Sequence, residues 1–283
     1  MDDATLAVLR TAASALFDIA FAGMVGAVAM QGLLGQASRR RASFLAATAT
    51  ALAAQLAWMA LQALSVTELP PADALLASGG VIADTQFGRA WAVATLALVA
   101  CGALALAGRQ APPVRRVGLA LAVVAGAHAV AGHAGANGQA WLVAVTALHA
   151  LGTGAWAGSV FAAAWVDADA IRDARHAARL SSLATMALAV TAATGVACAW
   201  HGLGGAPAAL APSSGSPWGR LLDVKLALVA IAVALGGFNR FAVMPSLPAA
   251  GSRFVRVLRV ESMVLLAVLV AAALLANGEP PGA

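Results

Sequence analysis

The sequence predicts an all-α fold, a polytopic membrane protein of eight transmembrane helices, and three observations predict it. Hydrophobic residues make up 61% of the chain and charged residues 10%, with mean hydropathy +0.86. A soluble domain carries roughly 25% charged residues, so this chain has too few to cover a water-facing surface. Apolar stretches long enough for a hydrocarbon core about 30 Å thick then recur at 8–35, 43–66, 87–107, 115–134, 139–165, 179–204, 218–243 and 255–277. Finally, 13 of the 17 basic residues fall on one side, in or beside the alternate loops after spans 1, 3, 5 and 7.

That alternation sets the expected orientation. Arg39, Arg40 and Arg41 follow span 1, and Arg109, Arg115 and Arg116 follow span 3. Arg172, Arg175 and Arg179 follow span 5, while Arg240, Arg253, Arg256 and Arg259 surround the loop after span 7. Positive residues concentrate in cytoplasmic loops, so both termini are expected on the opposite, periplasmic side with Glu68, Asp73 and Asp84. The pI of 10.9 and net charge of +5 are thereby explained without nucleic acid. The acidic start Met1-Asp2-Asp3 is unlike the basic n-region of a secretory signal, so span 1 is expected to remain in the mature protein. Cys101 and Cys198 lie in different spans with no CxxC pair, which argues against a disulfide framework.

Taken in order, span 1 carries Asp18 near mid-membrane, Phe21-Ala22-Gly23 and Met24; span 2 carries Met59. Residues 67–86 read as a loop of Pro, Gly, Ser and acidic residues. Span 3 opens on Thr85-Gln86-Phe87-Gly88-Arg89, and span 4 holds His128 and His133. Span 5 contains Leu148-His149, Gly154, Trp156-Ala157-Gly158 and Phe161. His149 and Trp156 are seven residues apart, on one helical face and about 10.5 Å apart along the axis. Gly154 and Gly158 form a small-xxx-small pattern suited to close helix contact. Span 6 ends with Cys198 and His201, span 7 opens on Ser216-Pro217-Trp218-Gly219-Arg220 and continues to Asp223 and Lys225, and span 8 holds Glu261. Trp91, Trp141, Trp200 and Trp218 fall near outer span ends, where indoles anchor at the interface. The matched openings of spans 3 and 7, and the echo of Phe21-Ala22-Gly23 in Trp156-Ala157-Gly158, point to a parallel 4+4 repeat. The chain then reads as one integral-membrane domain, 1–283, with halves at 1–138 and 139–283.

The chemistry suggested by these residues is soft-metal binding. His133, His201, His128 and His149 all fall in the expected outer half of the membrane, with Cys198 beside them; His176 lies in a basic loop. Imidazole, thiolate and thioether together suit Cu(I) and, less selectively, zinc or iron. Met59 and Met24 are candidate thioethers, although single methionines in apolar helices usually pack, and a lone membrane histidine more often makes an interhelical hydrogen bond. His128 and His133 are about 140° apart on a helix, so a ladder of weak serial sites fits better than one cage. Asp18, Glu261 and Lys225 are costly in a membrane and are expected to face the interior. Asp18 and Glu261 are candidates for charge compensation or proton coupling, and Trp156 for the same pathway. With Lys225 as its single lysine the chain has no GxxxxGK[ST] loop, and it lacks CxxCH and HExxH. Neither ATP-driven transport by this chain alone nor enzymatic activity is expected.

Several of these segments carry a family likeness. Leu148-His149, Trp156-Ala157-Gly158, Ser216-Pro217-Trp218-Gly219-Arg220-Leu221-Leu222, Lys225-Leu226-Ala227-Leu228, Phe238-Asn239-Arg240-Phe241, Arg259-Val260-Glu261 and Gly278-Glu279-Pro280-Pro281 occur in an order that resembles the copper-resistance D (CopD-like) family. The likeness is strongest from about 145 to the end; the first half joins it by span count and by Phe87-Gly88-Arg89. It implies a multi-pass protein of the bacterial inner (cytoplasmic) membrane that moves copper ions from periplasm to cytoplasm. A separate periplasmic copper-binding donor is implied as partner. It also marks His149, Trp156, Trp218, Gly219, Lys225, Asn239, Arg240 and Glu261 as family-patterned positions. Two other readings stay open. One is a b-type cytochrome with haem between histidines such as His128, His149 and His201; the other is a non-transporting copper delivery or assembly factor.

Overall fold

Each expected span is a helix in the computed structural model, which describes residues 2–35, 38–67, 70–107, 113–136, 138–203 and 215–278. In chain order the helices are α1 (Asp3–Leu34), α2 (Ser38–Thr67), α3 (Pro71–Asp84), α4 (Gln86–Ala107), α5 (Val114–Ala131) and the short α6 (His133–Ala136). They continue with α7 (Ala140–Phe161), α8 (Ala174–Gly202), α9 (Pro217–Phe238) and α10 (Leu247–Ala276). Eight of them are long and apolar enough to cross a bilayer. The protein is therefore a multi-pass membrane protein, with nearly all of its described residues helical.

One stretch expected to be a loop is a helix. Within 67–86, α3 starts on Pro71, where a missing N–H costs nothing, and carries Asp73 in its first turn against the positive helix end. It packs on α2 and α4. Its contact with α4 needs Gly88, because a Cβ there would collide with the Val81 carbonyl and Ile82. Turn-forming composition hid a helix held in place by tertiary contact. Residues 68 and 69, and with them Glu68, lie outside the described residues.

The helices gather into two packed groups that share α1. Phe17, Phe21 and Met24 of α1 join α2, α4 and α5 in one apolar core. Ala22, Met30 and Leu34 of the same helix join α7, α8, α9 and α10 in the other. The two groups meet along α1 and α7, whose backbones touch. A Cβ on Gly158 would collide with Ala22 O and stand 2.9 Å from Gly26 Cα, and one on Gly26 would collide with the Gly158 backbone. The small-xxx-small pattern around Gly154 and Gly158 thus finds its partner in Ala22 and Gly26.

The resemblance between the starts of α4 and α9 has a local cause. Thr85 Oγ1 accepts from Gly88 N, and Ser216 Oγ accepts from Gly219 N, each at 2.9 Å. Both are hydroxyl N-caps reaching the third helical amide. Two of the four expected interfacial tryptophans play another part. Trp91 is buried and donates to Gln55 O at 2.8 Å, and Trp218 donates to Leu275 O at 3.1 Å. Trp141 and Trp200 are exposed at their helix ends, as anchors would be.

At the arginine-rich end, arginines from one helix cap carbonyls at the end of another. Arg41 NH2 donates to Leu106 O at 2.9 Å and Arg179 NH1 to Leu33 O at 3.2 Å. Beyond α7 the chain makes a π turn, Ala162–Val166, with Asp167 N bonded to Ala162 O. There Arg259 Nε donates to Ala164 O at 3.3 Å while its guanidinium lies 4.9 Å from the Trp165 ring. A second π turn, Asn239–Val243, ends α9. Just outside the spans, Asp173 caps α8 by accepting from Arg175 N and His176 N, and these bonds, the one from His176 first, hold its carboxyl below the ordinary carboxylate value. Arg109 and the side chains of Arg39 and Arg40 fall outside the described residues.

Gly158→Ala is expected to lower stability by about 1–3 kcal/mol, because backbone must shift to admit the methyl group. Thermal unfolding in detergent reads this as a reduced Tm. Gly126→Ala is the control: nothing lies within 4 Å of its Cβ position, so Tm stays the same or rises. Equal Tm for the wild type and Gly158→Ala would contradict the backbone contact.

Candidate functional site

Polar side chains of the membrane interior fall into three places rather than one. The first is a seam between α7 and α8, in the half of the bundle nearer the termini. His149 Nδ1 lies 3.1 Å from Thr191 O and 3.1 Å from Thr194 Oγ1. The carbonyl can only accept, and Thr194 already donates its hydroxyl proton to Val190 O at 2.6 Å. Both contacts therefore require the proton on Nδ1, and a neutral imidazole then carries its free lone pair on Nε2. The ring fits because residue 195 is glycine: a Cβ there would stand 3.0 Å from His149 Cε1.

One turn outward on α8, about 6 Å along the axis, Cys198 Sγ lies 3.8 Å from Thr146 Oγ1 of α7. Another turn outward, His201 meets the exposed Trp141 edge-to-face at 6.1 Å between centroids. Thr191, Thr194, Cys198 and His201 recur at spacings of three and four residues, so they form one stripe on α8. Lys225 of α9 completes this place. It lies within electrostatic reach of Cys198 and His149 and, across the boundary between the two groups, of Asp18 of α1.

The second place belongs to the other helix group and holds His128. Its ring is stacked between Phe17, 3.9 Å away at 13°, and Trp58, 5.0 Å away at 18°. Its Nε2 donates to Gln55 Oε1 at 2.9 Å. Gln55 is buried, and its own Nε2 has no hydrogen-bond partner. Met59, one residue beyond Trp58, is buried in the same group, as is Met24.

The third place is a cavity of about 360 Å³ near the arginine-rich end, walled by α7, α8, α9, its π turn and α10. Trp156 and Glu261, each 3% exposed, line it. A smaller cavity of about 260 Å³ lies among small residues of α1, α2, α7 and α10.

The sequence-derived candidates are thus distributed. His149, Cys198 and His201 share the α7/α8 seam, with Lys225 and Asp18 behind them. His128 and Met59 sit apart in the first group, and Trp156 and Glu261 sit deeper, toward the arginine-rich end. The His133 side chain lies outside the described residues. Among the described residues no three His, Cys, Asp or Glu side chains converge on one point. Sequence reading missed Thr191, Thr194 and Gly195, which fix the imidazole. The three-and-four spacing of polar residues on α8 was the available signal for the first two.

An eight-span helical bundle with titratable side chains in its interior is, by architecture, a multi-pass membrane protein. Comparison with known families agrees: a family model described as copper resistance protein D matches residues 174–275, and one described as copper resistance protein D-like, N-terminal domain, matches residues 1–140. The chain belongs to the copper resistance protein D family. Residues 141–173, with His149 and Trp156, lie between the two matches. No curated protein and no solved structure matches the chain.

His128→Ala removes the ring held between Phe17 and Trp58 and leaves Gln55 without its donor. The expected cost is roughly 1–3 kcal/mol, read as a lower Tm in detergent. His128→Phe, which restores the stack without the hydrogen bond, should recover most of the loss. A His128→Ala protein as stable as the wild type would contradict a packing role for this imidazole.

Proposed function

We propose that this protein carries copper across the bacterial inner membrane, from periplasm to cytoplasm and without ATP. Membership of a copper-resistance family supports the ion. Concentration of arginine at one end of the bundle supports that end as cytoplasmic, which turns the α7/α8 seam toward the periplasm. A periplasmic copper-binding protein is the proposed donor.

The single observation that carries the reading is the seam itself. His201, Cys198 and His149 follow one another inward at one-turn steps, with the His149 tautomer fixed so that Nε2 is the free nitrogen. Nitrogen and sulfur donors suit Cu(I), and a succession of low-coordinate positions allows an ion both to bind and to leave. His201 receives the ion at the mouth, Cys198 and His149 take it inward, and the Asp18–Lys225 pair adjusts the local charge as the cation arrives. Thr146 and Thr194 orient the donors and are positioning residues.

The test is copper accumulation in cells that lack the native protein and express the wild type or a variant, with membrane levels matched. Wild type should raise cellular copper several-fold over vector. His149→Ala and Cys198→Ser should each return it close to vector, while Val196→Ala, on the exposed face of α8, should not. Unchanged total copper with altered loading of a client cuproenzyme would overturn transport in favour of a delivery role. Full accumulation by His149→Ala would overturn the path.

A further inference from the structure

The 360 Å³ cavity holds polar chemistry that the copper path leaves unused. It separates α8, which packs on α7, from α9, which packs on α10. Glu261 reaches it from α10, and Gly236 of α9 makes room, since a Cβ there would stand 3.2 Å from Glu261 Oε1. Trp156 lines the same cavity from α7.

No basic side chain neutralises this carboxyl among the described residues. Arg240 is the one other charged residue lining the cavity, and its NH1 donates to Thr185 Oγ1 at 2.8 Å. On α10 itself Arg259 is held by Ala164 O and the Trp165 ring, and Arg253 lies 5.3 Å from the Phe238 ring. A second polar group waits in the same wall. Asn239, 3% exposed, donates from Nδ2 to Phe254 O at 3.2 Å, and its Oδ1 is buried with no partner. Toward the seam, Thr153 Oγ1 is likewise buried and unpartnered. It sits between His149 and Trp156 in the i, i+4, i+7 row on α7. A permanently charged, unpaired carboxylate at this depth is costly. A carboxyl that exchanges a proton with water in an adjoining cavity needs no fixed counter-ion.

We propose that Glu261 is a proton-binding site, loaded through the cavity from the arginine-rich side and emptied toward the α7/α8 seam. The carboxyl oxygen takes its proton from a water molecule in the cavity and gives it up to water on the seam side, past Thr153, with Trp156 and Asn239 as positioning residues. Joined to the copper path through Thr153, the site exchanges one proton for the inward movement of one Cu(I). That exchange, unlike the site itself, rests on the copper reading.

Infrared difference spectra of the purified protein in lipid, taken as bulk pH is stepped, test the site without copper. A protonated-carboxyl band that grows and fades with pH is expected in the wild type. It should be absent from a monodisperse Glu261→Gln protein and should return, shifted, in Glu261→Asp. No such band in the wild type, or its survival in Glu261→Gln, overturns the proton site. Proteoliposomes carrying an internal pH indicator then test the exchange. Copper uptake should come with proton movement in the opposite direction, reduced at least tenfold in Glu261→Gln. Copper uptake with no proton movement overturns the exchange, and wild-type liposomes that take up no copper overturn the transport reading, with the infrared band still deciding the site.

Discussion

Contact between the backbones of α1 and α7 is the constraint on which the rest of this structure depends. Between membrane helices there is no hydrophobic drive of the kind found in water, so association relies on close van der Waals packing and interhelical hydrogen bonds. Ala22 and Gly26 on one side, with Gly154 and Gly158 on the other, let the two helices meet without side chains between them. Because α1 also supplies Phe17, Phe21 and Met24 to the first core and Met30 and Leu34 to the second, the α1/α7 contact joins two helix groups into one body. It also brings Asp18 within charge–charge range of Lys225. Each would be expensive alone in the membrane interior.

Arginine has two jobs at the opposite end. Helices α1, α4 and α7 all finish there, with carbonyls that have no intrahelical donor and a partial negative charge from the helix dipole. Arg179, Arg41 and Arg259, each from a helix that begins at that end, donate to Leu33, Leu106 and Ala164. The same side chains that bias topology therefore also satisfy backbone groups which lipid cannot. The π turns after α7 and α9 fall in this region too, and the second carries Asn239 and Arg240 to the cavity wall.

Span number and span limits were legible in the sequence because membrane crossing needs only length and apolarity, and both are written locally. Gly154 and Gly158 announced close packing, but their partners in α1 are more than a hundred residues away, and nothing local identifies them. The histidines show the same division. His149, Cys198 and His201 were readable as donors at related depths, and two adjacent helices bring them to one seam. His128 has the same depth on paper, yet Phe17 and Trp58 enclose it in the other helix group. Depth follows from position along a helix, whereas azimuth follows from which neighbour packs where. Helix α3 was missed for a related reason, since its Pro, Gly and Ser content reads as loop while its contacts with α2 and α4 hold it as helix.

The central claim is that sulfur and nitrogen on the α7/α8 seam bind the same Cu(I) ion. X-ray absorption at the copper edge, on protein loaded with one equivalent of Cu(I), tests it most directly. The account predicts a low-coordinate first shell with one sulfur and at least one imidazole, the sulfur contribution vanishing in Cys198→Ser and the imidazole contribution in His149→Ala. A first shell without sulfur, or one that neither substitution alters, would contradict it.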